Sequence, residues 1–342
     1  MGDVVLSFLE VNSGFIELSK KPHNPEFENW VELPNQVALR MLDSGVLQVR
    51  PAKAKGTALV LSCGVHGNET APIEIISNQI SRIVTGAIEP HCELLYILGN
   101  PESMQTSQRF VSLNMNRLFA GAYANYELNE DSKYEIERAK KLEELVSRFF
   151  EENSQLTKIH LDLHTAIKPS FHKTFAIRPY HQSAISPQSK RLLLALGIEA
   201  VLQHNKPSTT FSAFSVQKFN AEAYTLELGK VKPFGENNPE DFSAAIQTLD
   251  DLVQSSSIVE HNADSLIEYK VVAEIMKNSD EFKFYVPDDV ENFTAYPQGY
   301  LIAEDFDYNY RVAFERESVV FPNINVPVGQ RVAIMVTEVN PD

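Results

Sequence analysis

The stretch Ala58-Leu59-Val60-Leu61-Ser62-Cys63-Gly64-Val65-His66-Gly67-Asn68-Glu69-Thr70-Ala71-Pro72 decides how the chain is read. Ala58 to Leu61 is an unbroken apolar run, the pattern of a buried strand, and it delivers a glycine-flexed loop with His66 just past the strand end. Pro72 and the apolar positions Ile73, Ile76, Ile80 and Ile83 then recur at helical spacing. Proline is tolerated in a first helical turn because its missing N–H has no partner to lose there. Strand, loop and helix in this order predict an α/β domain with polar side chains presented beyond the strand ends.

The pattern continues outward from this unit. Leu94 to Leu98 reads as a second buried strand, leaving through Gly99-Asn100-Pro101. From Tyr134 to Phe150, Ile136, Ala139, Leu142, Leu145, Val146 and Phe149 share one helical face and charged residues take the other. Ile159, Leu161 and Leu163 alternate with His160, Asp162 and His164, a strand that ends at Thr165. A further strand is expected over Ala223 to Leu228, closed by Gly229, and a helix over Phe242 to Val253. The first fifty residues, short apolar runs broken by turn residues, are expected to be strands at a sheet edge. Beyond the polar stretch Ser255 to Ser265, strand-like runs recur at Val271 to Ile275, Phe282 to Val286, Tyr300 to Ala303, Tyr310 to Phe314 and Val332 to Val336. The expected organisation is an α/β domain over residues 1–260 and a smaller, mostly β module over 261–342.

Composition limits the partners. Of 342 residues, 43% are hydrophobic and 22% charged, ordinary for a folded globular chain. Thirty basic residues against 46 acidic ones give a formal charge of -16, which disfavours nonspecific binding to nucleic acid or to an anionic membrane. The N-terminus lacks a basic region followed by an apolar run, and no stretch approaches the roughly 20 apolar residues of a membrane-spanning helix. Cys63 and Cys92 are too few for a disulfide framework, so a reducing cytoplasm is expected. The partner expected is a small molecule, with neither nucleic acid nor membrane, and no oligomeric state is implied.

A catalytic zinc ion takes three protein ligands from His and carboxylate and leaves a fourth position open. His66 and Glu69 lie three apart in the loop, near enough to face one ion if the loop curls. Alone, a His-x-x-Glu pair arises often by chance and can be a surface turn. A third ligand must come from another strand end. His164 is favoured because it terminates its strand, whereas His160 points to the same face but lies about 13 Å back at strand rise. His66, Glu69 and His164 all fall at, or just beyond, independently expected strand ends.

The strings Gly64-Val65-His66-Gly67-Asn68-Glu69-Thr70-Ala71-Pro72, Asn114-Met115-Asn116-Arg117, Asp162-Leu163-His164-Thr165-Ala166 and Thr225-Leu226-Glu227-Leu228-Gly229 resemble, in order, the succinylglutamate desuccinylase and aspartoacylase family of the zinc carboxypeptidase superfamily. The resemblance runs from about residue 40 through the C-terminal module. It implies a mixed sheet flanked by helices, a C-terminal module that narrows the active-site mouth, and one zinc ion per chain held by His66, Glu69 and His164. It implies Glu227 as the catalytic carboxylate, Arg109 as the residue facing the developing oxyanion, and Asn116 with Arg117 as a grip on a carboxylate of an anionic substrate. Asn114 departs from relatives that carry Asp, which leaves its role open. Arg178 and His172 follow the His164 strand closely enough to be candidates for lining a second carboxylate pocket. The implied activity is hydrolysis of N-succinylglutamate, the last step of the succinyltransferase route of arginine catabolism. Without the resemblance, the favoured reading of Glu227 is a strand-end carboxylate, paired with Lys230 or solvated beyond the sheet edge.

Overall fold

The computed structural model describes residues 2–255, 261–306 and 308–339. Its frame is a mixed sheet of thirteen strands. The centre is parallel: Thr57–Cys63 lies between Glu93–Leu98 and Thr157–Ala166, and Glu222–Lys230 follows beside Thr157–Ala166. Phe175–Arg178 then runs antiparallel to Glu222–Lys230, and Ala200–Gln203 and Ile267–Met276 extend the sheet into Arg331–Glu338. A separate sheet of Lys283–Phe284, Leu301–Asp305 and Tyr308–Arg311 completes the C-terminal β part.

The strand repeat of two divides the core between the two faces of the sheet. Leu59, Leu61 and Cys63 pack on one side with Ile73, Ile76, Ile80 of the helix Thr70–Val84 and Leu249 of the helix Ser243–Val253. Ala58 and Val60 face the other side, against Ile136, Leu142 and Phe149 of the helix Lys133–Glu152 and Phe211 and Phe214 of the helix Phe211–Phe219. A strand covered on both faces has no polar side to show, which is why its sequence reads as a continuous apolar run. The strands of the C-terminal part share their own core, including Ile275, Ile302, Val319 and Met335. The expected division at 260/261 places its residue 260 outside the described residues.

The N-terminal expectation is corrected. Gly2–Leu9 and Gly14–Ser19 are helices, and strands begin only at Val31. Leu9, Phe15, Ile16 and Leu18 are buried in the same core as the helix Thr70–Val84. That helix fastens the segment by polar contacts: Ser77 Oγ donates to the carbonyl of Asn12 and Ser81 Oγ to that of Glu10. Helices this short draw their stability from docking, which local patterning does not record. No described helix is long and apolar enough to cross a membrane.

Candidate active site

The site begins where the strand Thr57–Cys63 ends. Gly64 turns the chain with φ +63°, a left-handed conformation open to glycine. Gly67 then lies so close to the backbone of Ser103 and Met104 that an added Cβ would stand 2.2 Å from Met104 N. Between these two glycines the loop curls back, and the Gly67 N–H donates to the Arg109 carbonyl at 3.2 Å. The loop thereby brings together His66, Glu69 at the start of the helix Thr70–Val84, and the segment carrying Arg109.

His66, Glu69 and His164 each offer a donor atom, and these atoms lie within 4.8 Å of one another, all buried. Glu69 Oε1 is 2.8 Å from His66 Nδ1 and 2.7 Å from Arg109 Nη1. Its Oε2 is 2.8 Å from His164 Nδ1 and accepts from the Thr165 N–H at 3.1 Å. These contacts hold the Glu69 carboxyl well below its usual pKa against the opposing effect of burial.

The outer nitrogens of both rings are committed elsewhere. His164 Nε2 lies 2.9 Å from Asp162 Oδ2, an acceptor only, so this nitrogen carries a proton. His66 Nε2 lies 3.0 Å from Asn114 Oδ1, an oxygen identified as such because it also accepts from the Asn116 N–H at 3.1 Å. Burial, then Arg109, lowers the His66 pKa to about 4 against the opposing pull of Glu69. Around His164, burial opposes charge, but Asp162 and Glu69 overcome it and raise the ring's pKa. The proton shared there with Glu69 occupies the place an ion would take. Two imidazole nitrogens and a carboxylate oxygen, with outer nitrogens oriented by hydrogen bonds, form the donor set of an open divalent-metal site.

Glu227 is level with His164 across the paired strands. Its carboxyl is buried and Oε2 has no hydrogen-bond partner among the described residues. Burial first, and the Glu69 charge second, raise its pKa to about 7. Arg109 keeps a third of its side chain in solvent beside Glu69.

The remaining candidates divide. Asn116 is buried, and its Oδ1 accepts from the Phe211 N–H at 3.0 Å, so the amide anchors the start of the helix Phe211–Phe219. Arg117 reaches solvent, donates to the Asn116 carbonyl at 2.9 Å and forms no ion pair among the described residues. Desolvation by the surrounding protein, then the Arg331 and Arg109 charges, lower its pKa.

Arg178 and His172 are held by contacts of their own outside the ligand cluster. Phe175 pairs with Glu227, and the antiparallel strand carries Arg178 away from that level, where its Nη1 donates to the Ser183 carbonyl at 2.8 Å. His172 packs among Phe171, Tyr269 and Phe293 and shares a 3.0 Å hydrogen bond with the Tyr269 hydroxyl. Neither has a contact with the His66, Glu69 and His164 cluster.

His160, the competing ligand, is fully buried between Ser62 Oγ at 2.8 Å and Ser215 Oγ at 2.7 Å. Ser62 donates to Asp162 Oδ1 at 2.6 Å, so a chain of hydrogen bonds leads from His160 to His164. Asp162, not singled out from the sequence, was visible there as the acidic position between two histidines on one strand face.

Comparison with known proteins identifies the family. The family model described as the succinylglutamate desuccinylase/aspartoacylase catalytic domain matches residues 55–253, and that of the AstE/AspA barrel-sandwich hybrid domain matches residues 264–339. The succinylglutamate desuccinylase of Shewanella frigidimarina is 39% identical over 336 residues, covering 96% of this chain and 97% of its own. Among solved structures, that of the same-named protein from Vibrio parahaemolyticus matches with TM-score 0.85 and 35% identity over 95% of each chain. The one from Chromobacterium violaceum matches with TM-score 0.82 and 33% identity, covering 96% of this chain and 98% of that one. The fold, the donor set and these likenesses lead to one conclusion: the chain belongs to the succinylglutamate desuccinylase/aspartoacylase family.

Proposed function

We propose that the chain hydrolyses N-succinyl-L-glutamate to succinate and L-glutamate, using one zinc ion held by His66, Glu69 and His164. The observation that carries this reading is the convergence of three buried metal donors beside Glu227, a buried carboxyl with an unpartnered oxygen. The relatives named for this reaction supply the substrate. When bound, zinc supplies a Lewis acid that lowers the pKa of a coordinated water toward about 7 and polarises the amide carbonyl.

The protein's own groups do the rest. Glu227, a buried carboxyl paired across the strands with His164, takes a proton from the attacking water and returns it to the departing glutamate nitrogen. Arg109 faces the oxygen that gains charge as the amide carbon becomes tetrahedral. Arg117, without a carboxylate partner among the described residues, pairs with a substrate carboxylate through a planar guanidinium. Asp162 and Asn114 fix the rings of His164 and His66. By this reading the reaction closes the succinyltransferase route of arginine catabolism, in a cytoplasm that keeps the buried Cys63 and Cys92 as free thiols.

Turnover of N-succinylglutamate set against N-acetylaspartate tests the substrate. Preference for the succinyl compound supports the reading, and preference for the acetyl compound overturns the substrate while leaving the metal chemistry in place.

A further inference from the structure

Beyond the ligand set lies a group of cations in a chain whose formal charge is -16. Glu274, on the strand Ile267–Met276, pairs with two of them: Arg331 Nη1 at 2.9 Å from Oε1, and Lys206 Nζ against Oε2. Arg331 opens the strand Arg331–Glu338 of the C-terminal part, whereas Lys206 sits in the loop that follows Ala200–Gln203. That loop is tied at both ends. Asn205 Nδ2 donates to the Val271 carbonyl at 3.1 Å, and at the far end Phe119 N–H donates to the Thr209 carbonyl at 3.2 Å while Phe211 N–H bonds Asn116. The loop that carries Lys206 therefore runs from the Glu274 ion pairs to the turn that carries Arg117. Arg331 is the strongest single charge acting on Arg117, and it acts likewise on His204.

One carboxylate, Glu274, pairs with two cations, and Arg117 has no ion pair among the described residues. Like charges held this way repel, and an anion placed among them removes the repulsion. His204, in the same loop, buries an Nδ1 with no hydrogen-bond partner among the described residues. Arg331 has five N–H donors, and Lys206 keeps 60% of its side chain in solvent, so both have capacity left after Glu274 is served.

We propose that Arg331 and Lys206, oriented by Glu274 and flanked by His204, form with Arg117 a second carboxylate subsite, which takes the side-chain carboxylate of the substrate's glutamate. The inference rests on the acyl-glutamate reading above. Of the three carboxylates in N-succinylglutamate, this one lies farthest from the scissile amide, five bonds from the carbonyl carbon. The subsite as proposed holds this carboxylate equally in the ground state and the transition state, and loss of such uniform binding raises KM and leaves kcat nearly unchanged. The subsite takes Arg331 from the C-terminal part and Lys206 from the catalytic domain, so substrate charge is read where the two parts of the chain meet.

The test is steady-state kinetics of the zinc-loaded enzyme on N-succinylglutamate and on N-succinylglutamine, which is nearly isosteric but lacks the distal charge. Wild type should favour the acid. Arg331→Met should raise KM for the acid about 10- to 100-fold with kcat within about threefold, leave the amide nearly unaffected, and be partly restored in Arg331→Lys. Lys206→Met should act in the same direction by about 3- to 10-fold, since Lys206 is the more exposed group. Equal losses on acid and amide would show that Arg331 serves only the fold, and no loss on either that it takes no part in binding; both results overturn the subsite while wild-type turnover leaves the reaction standing. Absence of wild-type turnover on N-succinylglutamate overturns the substrate reading and the subsite with it.

Discussion

Asp162 Oδ2 lies 2.9 Å from His164 Nε2, and both side chains are buried within the strand Thr157–Ala166. The carboxylate fixes the tautomer that leaves Nδ1 free for the metal and increases the basicity of that nitrogen. Asp162→Asn keeps the size and removes the charge. Zinc affinity should fall about 10- to 100-fold, read by competition with a chromophoric chelator. Unchanged affinity would remove Asp162 from the site.

Among the described residues, Arg109 is the one Lys or Arg side chain in direct contact with the ligand set, 2.7 Å from Glu69. If it faces the developing oxyanion, Arg109→Met should lower kcat by about 10²- to 10³-fold while the protein still binds one equivalent of zinc. Metal analysis and kcat measured on one preparation check this. A kcat within a few-fold of wild type would contradict the role.

The raised pKa of Glu227 has a consequence for stability in the metal-free protein. A carboxyl whose folded pKa exceeds its unfolded value stabilises the fold while protonated, and that contribution is lost as pH rises through the folded value. The window runs from the ordinary value of 4.5 to about 7. Across it, chelator-treated wild type should lose about 3 kcal/mol relative to Glu227→Gln, which is uncharged throughout. Denaturant unfolding of both proteins at pH 4.5, 6 and 8 measures the difference, and a constant gap would mean that Glu227 has an ordinary pKa.

Gly67 has no left-handed φ, so its requirement is one of space. An alanine Cβ would meet Met104 N at 2.2 Å and the Ser103 carbonyl carbon at 2.3 Å, both backbone atoms that cannot swing aside. Gly67→Ala should cost about 1–3 kcal/mol and weaken zinc binding as well, because the displaced loop carries His66 and Glu69. A thermal melt with and without zinc separates the two effects. Wild-type behaviour in both would show that the loop tolerates the shift.

The central sheet and its covering helices were legible because full burial leaves a clear mark: Ala58 to Leu61 has no polar position, and Ile73, Ile76 and Ile80 repeat at the helical period. The N-terminal helices left no such mark, since they are short and held by docking on Ser77 and Ser81. His66, Glu69 and His164 were found because each sits at, or just beyond, the end of a legible strand. Arg178 and His172 were placed by their distance along the chain from His164. Chain distance does not record that Phe175–Arg178 runs antiparallel to Glu222–Lys230, so that Phe175 and not Arg178 pairs with Glu227. The link from Lys206 to Arg331 through Glu274 joins residues far apart in sequence, and no local pattern points to it.

The most direct test is release of glutamate from N-succinylglutamate by metal-free protein, with and without added zinc, beside the Glu227→Gln variant. The account predicts no release without metal, turnover on adding zinc, and a loss of about 10²- to 10⁴-fold in a variant that binds zinc as wild type does. Zinc-independent release, or full turnover by zinc-loaded Glu227→Gln, would contradict it.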